Sequence, residues 1–394
     1  MSDNVRQIYL DNSATTRISD EALKKYNEVS IGCFGNPSSL HAMGFNAEKE
    51  LDLARAAVLT SLSERESTVV FTASGSEANN LAIIGRAFAK ERYRRGAKII
   101  TTMGEHASVS APINKLTEYG FKIAEIPTRD GEIDMDELKR ELTPDVILVS
   151  VMMVNNETGA LYDVAAVSKL MRAQSPEALL HVDATQSYMK VKFTKRSLGA
   201  DMITLSSHKI EGPKGVGALV VDNKVIKSRG LAPLILGGGQ EGGLRSGTEN
   251  VPAVAAFGEA VRIGTRDFDK NQKKLCDLRE YLISSLENTK ELSEIKITNP
   301  KSHAPHILNI TVSGIKSETV LHYLSSLGIY VSSGSACSSN STHTSSALLA
   351  YGKSEKEADS SIRISLSHRT ETEDIDALVE GLISATSKLA RIKL

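Results

Sequence analysis

Seven short β-rich runs separated by helix-length segments occupy residues 67–221, and no other feature of the chain narrows its fold as much. The runs are STVVF (67–71), AKIITT (97–102), FKIAEIP (121–127), DVILVSVMMV (145–154), ALLHVD (178–183), DMITLS (201–206) and GALVV (217–221). Strands that alternate with helices build βα units around a mostly parallel sheet covered on both faces, so the expected class is α/β. In such sheets ligands sit beyond the carboxyl ends of the strands. The residues just after each run are therefore the first place to look for chemistry.

The glycine-rich stretch LGGGQEGGLRSGTENVP (236–252) interrupts the alternation, and a long helical pattern follows to about residue 288. A mixed region comes next, with strands HILNITV (306–312), GIYVSS (328–333) and SSIRISLS (360–367). A last helix over 371–393 places Ile375, Leu378, Val379, Leu382, Ala385, Leu389 and Ile392 on one apolar stripe. At 394 residues the chain is long for a single core. The expected organisation is a large α/β domain over 16–262 and a smaller α+β domain over 263–394, with residues 1–15 packing on the smaller one.

Forty-seven basic residues against 48 acidic ones leave a formal charge of −1, which gives no electrostatic case for nucleic acid or an anionic membrane as partner. No run of 18 apolar residues is present, and MSDNVRQIYLDNSATT lacks the charged-then-apolar order of a signal peptide. The three cysteines, Cys33, Cys276 and Cys337, are too few for a disulfide framework and too far apart for a metal cluster. Small-molecule chemistry in a reducing cytoplasm, without a metal, is the expectation.

Three strand ends carry groups of complementary chemistry. In VVFTASGSEANNLAI (69–83) a strand runs through small residues into a helix, so that backbone N–H groups around Gly75 and the Ser76 hydroxyl can meet an anion; an ordinary βα turn reads the same way. LLHVDATQSYMKV (180–192) ends a buried-looking strand on Asp183, with Gln186 close behind, and Asp183 serves there either as a helix cap or as the partner of a buried cation. DMITLSSHKIEGPKGVGALVV (201–221) sets Ser206, His208 and Lys209 directly after a strand, where the lysine is either solvated or desolvated enough to form an imine. A phosphate, a basic ring nitrogen and an aldehyde would together use all three sites, and pyridoxal 5'-phosphate combines them.

The sequence resembles a family in YLDNSATT (9–16), GNPSSLHAMG (35–44), GEHASV (104–109), VNNETG (154–159), HVDATQS (181–187), SSHKIEGPKGVGAL (206–219), RSGTENVP (245–252), SGSACSS (333–339) and SSIRISL (360–366). In order and spacing these look like a group I cysteine desulfurase, of the class V aminotransferase branch of fold type I pyridoxal-phosphate enzymes. The resemblance implies a large domain with a mostly parallel seven-stranded sheet, a smaller α+β domain and a homodimer. It implies conversion of L-cysteine to L-alanine, with the sulfur taken by Cys337 as a persulfide for iron–sulfur assembly or thiolation through a scaffold or other acceptor protein. Lys209 would carry the cofactor as a Schiff base, with Lys214 a bystander. His106 would stack on the ring and assist proton transfer, Asp183 would pair with the ring nitrogen, and Gln186 would bond the ring hydroxyl. Asn155 would help fix ring and substrate, while Gly75, Ser76, Ser206 and His208 would hold the phosphate, joined by Thr248 from the partner subunit. Arg363 would clamp the substrate carboxylate, with Asn36 nearby. Cys337 lies in SSGSACSSNSTH (332–343), a stretch of serines and glycine suited to a travelling thiol, although residues 341–346 depart from the family pattern. A selenocysteine lyase, another class V aminotransferase and a non-catalytic scaffold of the same fold are the alternatives.

Overall fold

The computed structural model describes residues 6–89, 96–333 and 344–389. Seven strands form the large sheet: Ser67–Thr72 (β1), Lys98–Thr102 (β2), Lys122–Ile126 (β3), Val146–Met152 (β4), Leu179–Asp183 (β5), Met202–Ser206 (β6) and Gly217–Asp222 (β7). Their spatial order is β1-β7-β6-β5-β4-β2-β3, and only β7 runs against its neighbours. Strands β1 to β6 therefore end on one edge of the sheet.

Strand side chains alternate between two cores, as the pleat requires. Val69, Phe71, Val149, Val151 and Ile203 face helices Ala42–Ser61, Val164–Gln174 and Val251–Arg266. Val70, Ile99, Leu148 and Leu219 face helices Gly75–Ala87 and Ala107–Leu116. With both faces covered, every residue of β4 and β7 is buried, which is why those strands read as continuous apolar runs.

A second sheet, wholly antiparallel, is built from Ile295–Thr298 (β8), Ile307–Val312 (β9), Ser332–Ser333 (β10) and Ser361–Ser365 (β11), in the order β10-β11-β9-β8. Its core joins Leu308, Ile310, Ile362 and Ile364 to helices Phe268–Asn288 and Thr372–Leu389 through Leu278, Leu282, Leu378 and Leu382. Ile8 and Leu10 belong to this core, and Ile8–Tyr9 pairs in parallel with Ile329–Tyr330. The long helical run after residue 250 is two helices, Val251–Arg266 and Phe268–Asn288, meeting at Asp267. Cys337 lies outside the described residues, as does Ile392.

Candidate functional site

The shared edge of β1 to β6 opens on a cavity of about 310 Å³. Each wall comes from a segment that has just left a strand: Ser74–Ser76 after β1, His106 and Ser108 after β2, Asn156 after β4, Asp183 to Gln186 from β5, and Ser206 to Lys209 from β6. Arg363, on β11 of the second sheet, and Ser13 and Ala14 of the N-terminal segment complete it. Gly75, Ser76, His106, Asp183, Gln186, Ser206, His208, Lys209 and Arg363 thus meet in one space although the chain separates them by up to 288 positions.

At the floor, Asp183 is 6 % exposed and its carboxylate is fully directed. Its Oδ1 accepts from the Thr185 N–H at 2.9 Å and its Oδ2 from Asn79 Nδ2 at 2.8 Å. Two residues earlier on the same strand, His181 is held between the Ser150 and Thr204 hydroxyls at 2.8 and 2.9 Å. Burial pushes that imidazole down to about 4, so beneath Asp183 lies a neutral ring.

Lys209 leaves β6 in a single helical turn, and its Nζ donates to the carbonyls of Ser13 and Ala14 at 2.6 and 2.7 Å. Gln186 Nε2 donates to the same Ser13 carbonyl at 2.9 Å. His208 faces Thr15, with Nδ1 3.1 Å from the hydroxyl, and burial together with the Lys209 and Lys214 charges lowers it to about 4. Lys214 itself is exposed and does not line the cavity.

The anion end is made by close backbone approach. Helix Gly75–Ala87 starts at the cavity, and its cap residue Ser74 accepts from the Glu77 N–H, leaving the first-turn N–H groups of Gly75 and Ser76 at the positive end of the helix. Gly217 allows β7 to pass this turn, since a Cβ there would stand 2.5 Å from the Ser74 carbonyl carbon. A Cβ on Gly75 would press on the Ser206 side chain at 3.2 Å.

His106 caps helix Ala107–Leu116, and burial lowers its pKa, with Asp183 opposing and the Lys209 and Arg363 charges adding to the fall. Glu105 beside it is buried and held up at about 8 by desolvation, even though Thr102 and the Met152 N–H both donate to its Oε1. Arg363 is 4 % exposed; Nη1 donates to the Asn156 carbonyl at 3.0 Å, Nη2 to Asp11 at 2.8 Å, and Nε meets no acceptor among the described residues.

Three residues singled out in the sequence stand elsewhere. Asn155 is buried in its own turn, donating to the Gly104 carbonyl and accepting from Glu157 and Thr158, and its neighbour Asn156 lines the cavity instead. Asn36 is exposed and accepts from the Ser38 N–H. Thr248 is exposed in a separate hollow with Phe71, Gly215 and Arg245. Conversely, the sequence reading passed over Asp11, Ser13, Asn79 and Ser108. All four lie inside or beside stretches that drew attention for other residues, which was the available signal.

No helix among the described residues is long and apolar enough to cross a membrane. No cluster of potential metal ligands occurs among them either.

Residues 8–378 match the family described as Aminotransferase class-V. The chain is 36% identical over 389 residues to a protein named cysteine desulfurase IscS from Dictyoglomus turgidum, covering 98% of this chain and 96% of that one. It is 36% identical over 383 residues to cysteine desulfurase IscS 1 of Archaeoglobus fulgidus, covering 97% of each. Among solved structures, a NifS-like protein superposes with a TM-score of 0.88 at 33% identity, covering 97% of this chain and 100% of that one. The chain belongs to the class V aminotransferase family, among its NifS- and IscS-like cysteine desulfurases, and has their α/β fold.

Proposed function

We propose that the protein is a pyridoxal-phosphate-dependent cysteine desulfurase that converts L-cysteine to L-alanine and takes the sulfur onto Cys337. The observation that carries the reading is the convergence of Lys209, Asp183 and the Gly75–Ser76 helix start on one cavity of about 310 Å³. The donor set fits the cofactor in kind. A phosphate suits the helix start with Ser76, Ser206 and His208, a basic ring nitrogen suits the buried carboxylate of Asp183, and an aldehyde suits the amine of Lys209. Buried polar atoms that meet no partner among the described residues, Ser13 Oγ, Asn79 Oδ1 and Arg363 Nε, belong to residues of the same wall. When bound, pyridoxal phosphate supplies an electron sink for charge developing at the substrate's Cα.

The residues then divide the work. Arg363 holds the substrate carboxylate with the N–H groups left after Asp11 and Asn156 are served. Lys209 would move the proton at Cα, and His106 and Gln186, both lining the cavity, would help hold the cofactor ring. Asn155 acts through its turn by fixing Asn156, and Asn36, outside the cavity lining, would come near the substrate only as the family resemblance implies. Cys337 attacks the sulfur of bound cysteine: the S–S bond forms as the Cβ–S bond breaks, Cβ gains a proton, and alanine leaves with a persulfide on the enzyme. An iron–sulfur scaffold or another sulfur-acceptor protein in the cytoplasm would receive it.

Within this reading two chains form a homodimer, and Thr248 completes the phosphate site of the other subunit. Exposed Ile31, Phe34, Leu40, Phe45 and Leu236 supply apolar area for such a contact. The test is the absorbance of the purified protein before and after addition of L-cysteine, with alanine and sulfide measured together. Equal amounts of both support the proposal. A band near about 400–430 nm without sulfide would indicate another class V reaction, and no such band a non-catalytic scaffold.

A further inference from the structure

Four side chains at the cavity wall form an unbroken hydrogen-bonded chain. Asn79 Nδ2 donates to Asp183 Oδ2 at 2.8 Å and to Ser108 Oγ at 2.8 Å, and Ser108 Oγ lies 2.8 Å from His106 Nδ1. The direction of every proton in it can be derived. The carboxylate of Asp183 only accepts, so the Asn79 amide must present nitrogen to it; the reverse orientation would set two oxygens against each other. Both Asn79 hydrogens are then placed. Ser108 Oγ accepts one of them, and because the Ser108 backbone N–H already donates to Nδ1 of His106, that nitrogen is an acceptor and the Ser108 hydroxyl hydrogen goes to it. The Ser108 backbone N–H reaches the same Nδ1 at 3.1 Å. A ring nitrogen that receives two donors carries no proton, so the neutral imidazole keeps its hydrogen on Nε2.

We propose that Asn79 and Ser108 are positioning residues that relay from Asp183 to His106, holding His106 neutral and as the Nε2–H tautomer so that it presents a hydrogen-bond donor to the site. This rests on the desulfurase reading for its purpose but not for its geometry. Protonating Nδ1 would require the Ser108 hydroxyl to reverse and the backbone N–H to lose its acceptor. The charged groups around the ring are Asp183 on β5, which favours the cation, and Lys209 after β6 and Arg363 on β11, which oppose it. Burial and the positive start of helix Ala107–Leu116 also oppose it, so the relay acts in the same direction as most of its surroundings.

The test is nitrogen-15 NMR of histidine-labelled full-length holoenzyme, with His106 assigned by loss of its signals in His106→Gln. At neutral pH the wild type should show an unprotonated Nδ1 and a protonated Nε2. Removing one donor in Ser108→Ala should raise the His106 titration midpoint by about half a pH unit to one unit, the equivalent of one ordinary hydrogen bond. Ser108→Thr should restore it, Asn79→Ala should move it the same way, and the pH profile of alanine formation should follow. A wild-type His106 protonated at Nδ1, which needs no variant to detect, would overturn the proposal, as would an unmoved midpoint in Ser108→Ala. If the NMR signature holds while no alanine or persulfide forms, the desulfurase reading fails and the relay stands.

Discussion

Arg363 Nη2 and Asp11 Oδ1 lie 2.8 Å apart, joining β11 to the N-terminal segment beside the cavity that Arg363 lines. The guanidinium side chain is 5 % exposed and the carboxylate 19 %, so the pair is largely desolvated. Removing Asp11 takes the carboxylate from a buried cation whose other partner among the described residues is the Asn156 carbonyl. Asp11→Ala should lower stability by about 3 kcal/mol and, because Arg363 is no longer aimed, raise KM for L-cysteine about tenfold. Thermal unfolding and steady-state kinetics check the two effects, and unchanged values for both would show that Asp11 does not direct Arg363.

Lys209 and Lys214 test the assignment of the amine. Lys209→Ala should retain the fold and lose alanine formation by at least about a thousandfold, since it lacks both the cofactor's attachment point and the proton carrier. Lys214→Ala should keep it, because that side chain is exposed and outside the cavity. Alanine release by the two variants decides between them.

Glu105 makes stability depend on pH. Its pKa is about 8 in the folded protein against an ordinary 4.5, so between those values the folded state binds a proton that the unfolded chain has lost. Its contribution is therefore fully present below the ordinary carboxyl range and is lost as pH rises towards about 8. Glu105→Gln, an uncharged mimic of the protonated acid, should flatten this decline and be the more stable form at pH about 8.5, by an amount on the order of a few kcal/mol. Chemical denaturation of both proteins at low and high pH measures it.

Mixing subunits tests the role of Thr248. Thr248→Ala and Lys209→Ala chains, once exchanged, should form dimers with one doubly defective site and one intact site. Partial activity should reappear, whereas proven exchange without recovery would show that each site draws only on its own chain.

Most strands of the large sheet were legible because they are buried on both faces and read as compact apolar runs, while the half-exposed edge strand Lys122–Ile126 was found through its place in the strand–helix alternation. Expected and observed spans differ by no more than two residues at any end. Ile295–Thr298 escaped because a short, half-exposed edge strand carries little apolar signal. GIYVSS reads as one strand but serves two partners, Ile329–Tyr330 pairing with Ile8–Tyr9 and Ser332–Ser333 with β11. The break at Asp267 was hidden for another reason: the apolar spacing continues on both sides, and the nearby glycine, Gly264, lies inside the first helix rather than at the break. In the site, Lys209 and Asp183 were visible because each follows its strand directly. Asn79 was not, since its meaning depends on Asp183, 104 positions away, and Asp11 depends on Arg363 at a distance of 352. Local pattern does not encode such pairs.

The central claim is that sulfur passes from L-cysteine to Cys337, and brief exposure of the purified holoenzyme to L-cysteine followed by peptide mass spectrometry tests it most directly. The account predicts a gain of about 32 Da on Cys337, the mass of one persulfide sulfur, with alanine formed in equal amount and no transfer in Cys337→Ser. Finding that mass on Cys33 or Cys276 instead, or undiminished sulfide release by Cys337→Ser, would contradict it.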